Sequence, residues 1–264
     1  MKILLIGDIV GRPGREAVKR IVPEIRKDRC IDLVIANAEN IAGGSGLTID
    51  TADELLNAKV DVLTAGDHIW KKKEIYEKLE QDKRILRPAN YPDECPGRGS
   101  TVVKLGSGKK VGAVNVLGRV FMNNIDACPF KTAERKVKEL SEETKIILVD
   151  IHAEATSEKI ALGRFLDGKV SAIFGTHTHV QTADEKILPY GSAYITDLGM
   201  TGAQDSVIGR KVEPIVEHFL TYMPTKFEMA DKDVELQGAI VEVDEKTGKA
   251  VSIERVKEKI ESYL

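Results

Sequence analysis

Cysteine is scarce in this chain: Cys30, Cys95 and Cys128 are the only three among 264 residues, far apart and in no C-x-x-C pair. That argues against a disulfide framework and a thiolate metal site, and it fits a reducing compartment. An excess of charge of one sign is missing too. Charged residues make up 31% of the chain, yet the formal net charge is only −3, so the surface mixes both signs and a basic nucleic-acid-binding face is not its main feature. Apolar runs are short. None approaches the ~20 residues that span a bilayer, and Asp8 breaks the first run, Ile3 to Ile6, too early for a secretory leader. A cytoplasmic protein with no membrane segment is the expectation. Internal repeats and low-complexity linkers are also lacking, and 42% hydrophobic residues can fill a sizeable interior, so one domain over residues 1–264 is expected.

What the chain does contain is a series of short apolar runs, each ending in polar residues. Ile3 to Ile6 shows no alternation, as for a strand buried on both faces, and leaves into Gly7-Asp8. Val18, Ile21, Val22 and Ile25 then recur at helical spacing over Arg15 to Lys27. The intervening glycines have the spacing G-x3-G-x2-G, which matches neither dinucleotide-binding nor P-loop turns. Leu33 to Ala36 reads as a second strand, ending in Asn37-Ala38-Glu39-Asn40, and Thr51 to Ala58 as a short helix. Val60 to Thr64 is a third strand, ending in Gly66-Asp67-His68 ahead of a helix over Lys71 to Leu79. Each acid lies just past a strand, where open α/β sheets bind ligands. Each also has a plainer reading, as a helix N-cap or a polar turn residue.

Further on, Thr101 to Leu105 and Lys109 to Val116 read as a hairpin, Gly118 to Phe130 as a long loop, and Thr132 to Thr144 as a helix. Ile146 to Val149 is a buried strand running into Asp150 and His152, which share a face by the pleat, so that one could ligate while the other orients or caps. His218, on a short helix over Pro214 to Leu220, is read as a surface residue. The tail changes style, because Lys226 to Ala230, Val234 to Val243 and Ala250 to Lys257 alternate as antiparallel strands do.

The densest signal is Gly175-Thr176-His177-Thr178-His179, behind the apolar run Val170 to Phe174. Two of the chain's five histidines fall within three positions. On an extended segment such positions face one way, so His177 and His179 are expected to converge on one centre, and imidazole suits zinc, manganese or iron. Collected, the strand ends offer Asp8, Glu39, Asn40, Asp67, His68, His152, His177 and His179. That set is too large for one ion. It fits two divalent ions ~3.5–4 Å apart sharing a carboxylate, the arrangement that clamps an in-line displacement at phosphorus.

In the blocks Ile6-Gly7-Asp8-Ile9-Val10-Gly11, Asn37-Ala38-Glu39-Asn40, His152 to Lys159 and Gly175 to Asp184, the chain resembles the calcineurin-like metallophosphoesterases. More closely, it is similar to their bacterial YmdB-like branch of cyclic-nucleotide phosphodiesterases, and the similarity runs nearly end to end. The resemblance implies an α/β fold in which two mixed β-sheets pack as a sandwich flanked by helices, a four-layer α/β/β/α arrangement with the site at the strand ends. It implies one metal held by Asp8, Glu39, Asn40 and His179, and a second held by Glu39, Asp67, His152 and His177. Iron is favoured, with manganese or zinc also fitting. It further implies attack by a hydroxide between the two ions, with His68 as general acid, on 2′,3′-cyclic nucleotides or other phosphodiesters. A homo-oligomer and a regulatory role connected with RNA turnover are implied as well. The alternatives are a phosphomonoesterase and a non-catalytic, metal-containing regulator that binds RNA or protein. A Rossmann-like nucleotide binder lacks its fingerprint and leaves the histidines unexplained.

Two positions depart from the wider superfamily. It has Asp-x-His after the first strand, whereas residue 10 here is Val, so the first metal loses an imidazole that Asn40 helps to replace. It has Gly-Asn-His where this chain has Gly66-Asp67-His68. Three carboxylates and a bridging hydroxide balance two divalent ions, while Asn at 67 would leave the cluster more positive. Metal clamps act by neutralising charge that grows in the transition state, so Asp67→Asn is expected to turn over faster per bound metal. Turnover normalised to metal content checks this; an unchanged or slower rate at full occupancy would refute it.

Overall fold

The computed structural model describes residues 1–122 and 127–260. Its strands in chain order are β1 (Lys2–Ile6), β2 (Asp8–Ile9), β3 (Leu33–Asn37), β4 (Val62–Thr64), β5 (Ile85–Leu86), β6 (Ser100–Lys104), β7 (Lys110–Leu117), β8 (Ile147–His152), β9 (Ala172–Thr176), β10 (Lys186–Ile187), β11 (Ala193–Ile195), β12 (Met200–Ala203), β13 (Val234–Val243) and β14 (Ala250–Lys259). The helices are α1 (Gly11–Asp28), α2 (Ile49–Asn57), α3 (Ile75–Gln81), α4 (Pro129–Ser141), α5 (Thr156–Leu166) and α6 (Val212–Thr221).

Two mixed sheets result. The first has eight strands in the order β2-β12-β13-β1-β3-β4-β5, with β14 also on β13. It is parallel through β1, β3, β4 and β5, and antiparallel where β13 joins β1. The second has six strands in the order β10-β11-β9-β8-β7-β6, parallel through its centre and antiparallel at both edges.

Successive strand residues point to opposite faces, and this sorts each apolar run into two cores. Ile3, Leu5, Leu33 and Ile35 of the first sheet meet Leu148, Ala172 and Phe174 of the second. Leu4, Ile6, Val34 and Ala36 turn outward onto Val18 and Val22 of α1, Leu55 of α2 and Leu79 of α3. On the other side Val114, Val116, Val149 and Ile151 pack under Val137 and Leu140 of α4 and Leu162 and Leu166 of α5. The order of layers is therefore helix, sheet, sheet, helix, as expected. Each such buried Leu, Ile or Val stabilises the fold by ~1.5–3 kcal/mol. Because β1, β3 and β4 run parallel, as do β8 and β9, the carboxyl ends within each set gather on one side.

Three local expectations differ from the structure. The helix expected over Lys71 to Leu79 divides into a 3-10 turn, Asp67–Lys71, and α3. The turn forms because Ile69 N donates to Gly66 O, which wraps Asp67 and His68 around the end of β4. Lys226 to Ala230 forms no strand: the segment lies against the Val207 to Lys211 loop instead of a sheet, where Met229 makes an isolated bridge to Arg210 and Lys211 N donates to Glu228 O. Of the loop expected over Gly118 to Phe130, residues 123–126 lie outside the described residues, and α4 already begins at Pro129. The start of that loop is held by Glu158 of α5, whose carboxylate accepts from Arg119 N at 3.0 Å and Val120 N at 3.2 Å.

The proline-rich segment after β5 is held from inside. Arg87 is buried, and its guanidinium donates to the carbonyls of Pro88 at 3.0 Å, Pro96 at 3.2 Å, Pro92 at 3.2 Å, Cys95 at 3.4 Å and Tyr91 at 3.5 Å. Proline supplies no backbone donors to close such a loop, so one planar side chain with five donors takes their place. Arg87→Met should orphan several of these carbonyls and lower stability by ~2–4 kcal/mol. Urea unfolding measures it, and an unchanged midpoint would show that water replaces the guanidinium.

Candidate metal centre

Every residue singled out at the strand ends, His68 included, comes to the carboxyl side of the two sheets. Glu39, just past β3, lies at the middle and is 1% exposed. Its Oε2 is 3.1 Å from His152 Nε2, at the end of β8. Its Oε1 accepts from Asn40 Nδ2 at 3.0 Å and lies 3.4 Å from His68 Nδ1. Glu39, Asp67, His152 and His177 offer ligand atoms that all lie within 4.8 Å of one another, close enough to share one ion. On the other side of Glu39, His179 Nε2 is 3.3 Å from Asn40 Nδ2 and 3.6 Å from Asp8 Oδ1. Gly66 makes room for the cluster, since a Cβ there would lie 2.2 Å from Glu39 Oε2 and 2.3 Å from His152 Nε2.

The chemistry of these donors fits divalent cations. Asp8 is fully buried; its Oδ2 accepts from His177 N at 2.9 Å, but its Oδ1 has no hydrogen-bond partner among the described residues. A buried carboxylate oxygen without a donor is costly unless a cation supplies the missing interaction. Carboxylate, imidazole and amide oxygen without thiolate is a donor set suited to iron, manganese or zinc.

His177 and His179 do not stand on an extended strand. β9 ends at Thr176, and both histidines have left-handed backbone, with φ of 98° and 64°. The i, i+2 argument therefore fails in its geometry. Bonds from His177 N to Asp8 and from Thr178 to Asp197 bend the chain, and the two imidazoles meet different partners, His177 beside His152 and His179 beside Asn40 and Asp8. His177 Nδ1 is 3.0 Å from His152 Nε2, while its Nε2 lies 3.3 Å from Glu154 Oε2. His179 Nδ1 donates to Ile208 O at 3.3 Å, which leaves Nε2 for the cluster.

Sequence reasoning left open what Asp150 does. It orients His152 through Thr176: His152 Nδ1 donates to Thr176 Oγ1 at 2.8 Å, and that hydroxyl donates to Asp150 Oδ1 at 2.8 Å. Thr64 and Asn37 also donate to Asp150. Such outer partners fix the tautomer and aim Nε2 inward. His68, with a one-third exposed side chain, had no evident partner in sequence. Its Nδ1 donates to Asn40 Oδ1 at 2.8 Å, a pairing between separate strand ends that no local pattern could reveal. Thr176, Asn37, Glu154 and Gly66 were likewise missed as functional; only their place beside the histidine and acid blocks hinted at them.

The charges are strongly coupled. Burial alone would push His152 down, but Glu39, with Asp8 and Asp150 behind it, carries its pKa up to about 9. Burial, reinforced by the neighbouring His152, pushes His177 down to about 3. Burial opposes ionisation of Glu39, yet His152 and His68 hold it well below the ordinary carboxylate range. A hydrogen bond to Glu39 raises His68.

In the metal-free protein, then, a proton on His152 stands where a cation would bring its charge. Metal binding near pH 8 is expected to release that proton, which calorimetry in buffers of differing ionisation heat measures. His152 titrates higher in the folded chain than its ordinary value of 6.5. Its contribution to metal-free stability is therefore complete below pH 6.5 and lost as pH rises through about 9. Thermal unfolding should follow this without metal and flatten with it; no proton release would contradict the assignment.

Known proteins extend the picture. The model of the family described as YmdB-like protein matches residues 4–256. The 2′,3′-cyclic-nucleotide 2′-phosphodiesterase of Bacillus subtilis is 45% identical over 256 residues, 97% of this chain and 96% of that protein. A crystal structure of a hypothetical protein from Thermus thermophilus superposes with a TM-score of 0.91 at 41% identity, covering 98% of this chain and 99% of the other. One of a novel phosphatase from Mycoplasma pneumoniae gives 0.90 at 35% identity, covering 98% and 93%. The match takes in both sheets and every residue gathered around Glu39, and by it the chain belongs to the YmdB-like protein family.

Proposed function

We propose that this protein is a dinuclear, metal-dependent phosphodiesterase acting on 2′,3′-cyclic nucleotides or closely related phosphodiesters, with residues 1–264 forming one catalytic domain. The observation that carries the reading is a single buried carboxylate, Glu39, between two groups of metal-type donors, with His68 beside it. Asp8, Glu39, Asn40 and His179 would hold one divalent ion, and Glu39, Asp67, His152 and His177 the other. The donor set suits iron or manganese at least as well as zinc, and the family resemblance favours iron. Bound there, such ions supply charge neutralisation at the phosphoryl oxygens and an activated water.

The chain's own residues do the rest. Asn40 Oδ1 holds His68 Nδ1, leaving Nε2 as the nitrogen that meets the leaving oxygen. The neighbouring Glu39 carboxylate raises the imidazole's pKa and so favours its protonated form, and a positioned acid of this kind is worth ~10²–10⁴-fold. The named activity of the Bacillus subtilis relative supports the cyclic-nucleotide class. The description of the Mycoplasma pneumoniae protein as a phosphatase favours a second reading, phosphomonoester hydrolysis. A homo-oligomer in the cytoplasm, with a role connected with RNA turnover, completes the proposal. No helix among the described residues is long and apolar enough to cross a membrane.

Metal content measured alongside hydrolysis of 2′,3′-cyclic AMP, bis-p-nitrophenyl phosphate and p-nitrophenyl phosphate tests the reading. Near two metals per chain with preference for the diesters is the expected result. Preference for the monoester selects the phosphatase, and two metals with no turnover selects a non-catalytic regulator. His68→Ala should retain its metals and lose ~10²–10⁴-fold in rate on the cyclic nucleotide, much less on nitrophenyl esters, whose leaving group needs no proton. Joint loss of metal and activity would make His68 a ligand instead.

A further inference from the structure

The loop that delivers His177 and His179 is held by a buried ion pair that the chemistry above does not use. Lys159, in the second turn of α5, is fully buried, and its Nζ donates to Asp197 Oδ2 at 2.7 Å. Asp197 is fully buried as well. The same Oδ2 accepts from Thr178 Oγ1 at 2.6 Å and Thr178 N at 3.2 Å. The other oxygen, Oδ1, accepts from Gly199 N at 2.9 Å. Gly199 O in turn accepts from Asp8 N at 3.0 Å. One carboxylate thus ties together the residue between the two histidines, the helix behind them and the strand end that carries Asp8.

Both histidines flanking Thr178 have positive φ, at 98° and 64°. Residues other than glycine keep such conformations only where their surroundings over-determine them. A buried ion pair is a weak source of stability, because desolvation offsets most of the attraction. Its usefulness here is positional: the Lys159 ammonium balances the carboxylate of Asp197 in a dry interior, and that carboxylate accepts both Thr178 donors at once.

We propose that Thr178, Asp197 and Lys159 are positioning residues that hold His177 and His179 in their metal-facing geometry. The inference rests on the metal-centre reading above. It assigns Lys159, at the end of the block running from His152, and Thr178, between the histidines, a role toward the metals without contact to them.

Thr178→Val tests it, since it removes only the hydroxyl that reaches Asp197 and leaves the ion pair in place. Mn²⁺ binding by calorimetry on folded, metal-free protein is the readout, with thermal unfolding of the same samples beside it. The expected result is a ~10–100-fold weaker Mn²⁺ affinity, the size usual for lost outer partners of metal ligands, with a nearly unchanged unfolding temperature. Thr178→Ser, which restores the hydroxyl, should recover the affinity. Lys159→Met should weaken Mn²⁺ binding too, but it is also expected to destabilise the fold, so the valine and serine pair decides. Unchanged affinity in Thr178→Val, or a lowered unfolding temperature with unchanged affinity, would overturn the inference and leave the clamp a purely structural feature. Failure of the unaltered protein to bind Mn²⁺, Fe²⁺ or Zn²⁺ would instead overturn the metal-centre reading.

Discussion

A carboxylate buried as deeply as Glu39 must be surrounded by positive charge or by donors, and the centre of this molecule is arranged by that requirement. His152, His68 and Asn40 approach it from separate strand ends. Asp8 lies behind the same imidazole with one oxygen lacking a donor. Among the described residues that oxygen finds no donor, although its carboxylate is fully buried. A divalent cation would supply the missing interaction, and the same concentration of buried carboxylates raises the pKa of His152.

The sandwich makes such a concentration of charge tolerable. Two sheets present the carboxyl ends of parallel strands to one side, and each strand contributes one or two polar residues as it leaves the apolar interior. Behind them the network continues inward through Thr176, Asp150, Thr64 and Asn37, so that buried polar groups satisfy one another instead of facing hydrocarbon. Rigidity comes from these paired interior groups and from the cores on either side. The His177 to His179 loop, with its left-handed backbone, depends on them for its shape.

Much of this was legible along the chain. The apolar runs at β1, β3, β4, β8 and β9 stand out because strands buried on both faces carry little else, and the polar residues ending them mark the ligand side of the sheets. The hairpin of β6 and β7 and the pairing of β13 with β14 follow from turn residues and alternation. Where local pattern misled, a non-local bond had the deciding influence. Lys226 to Ala230 alternates but bonds to the loop around Arg210, and the helix expected from Lys71 gives way to a turn held by Gly66. His177 and His179 reach the centre by a bent loop rather than along a strand.

The sequence by itself determined the succession of buried strands and helices and the identities of the eight polar residues at the strand ends, because hydrophobic periodicity and residue type are local properties; the four layers followed only from the family resemblance. Only the tertiary structure decided which atoms meet. It set Asn40 against His68, placed Asp150 behind His152 through a threonine, and pinned Thr178 to a buried Asp197 and Lys159. Asn37 and Asp150, in the same network, stand 113 residues apart in the chain. Such pairings are enforced by the cost of burying a charge or donor alone, a cost that appears only when the chain has closed around it.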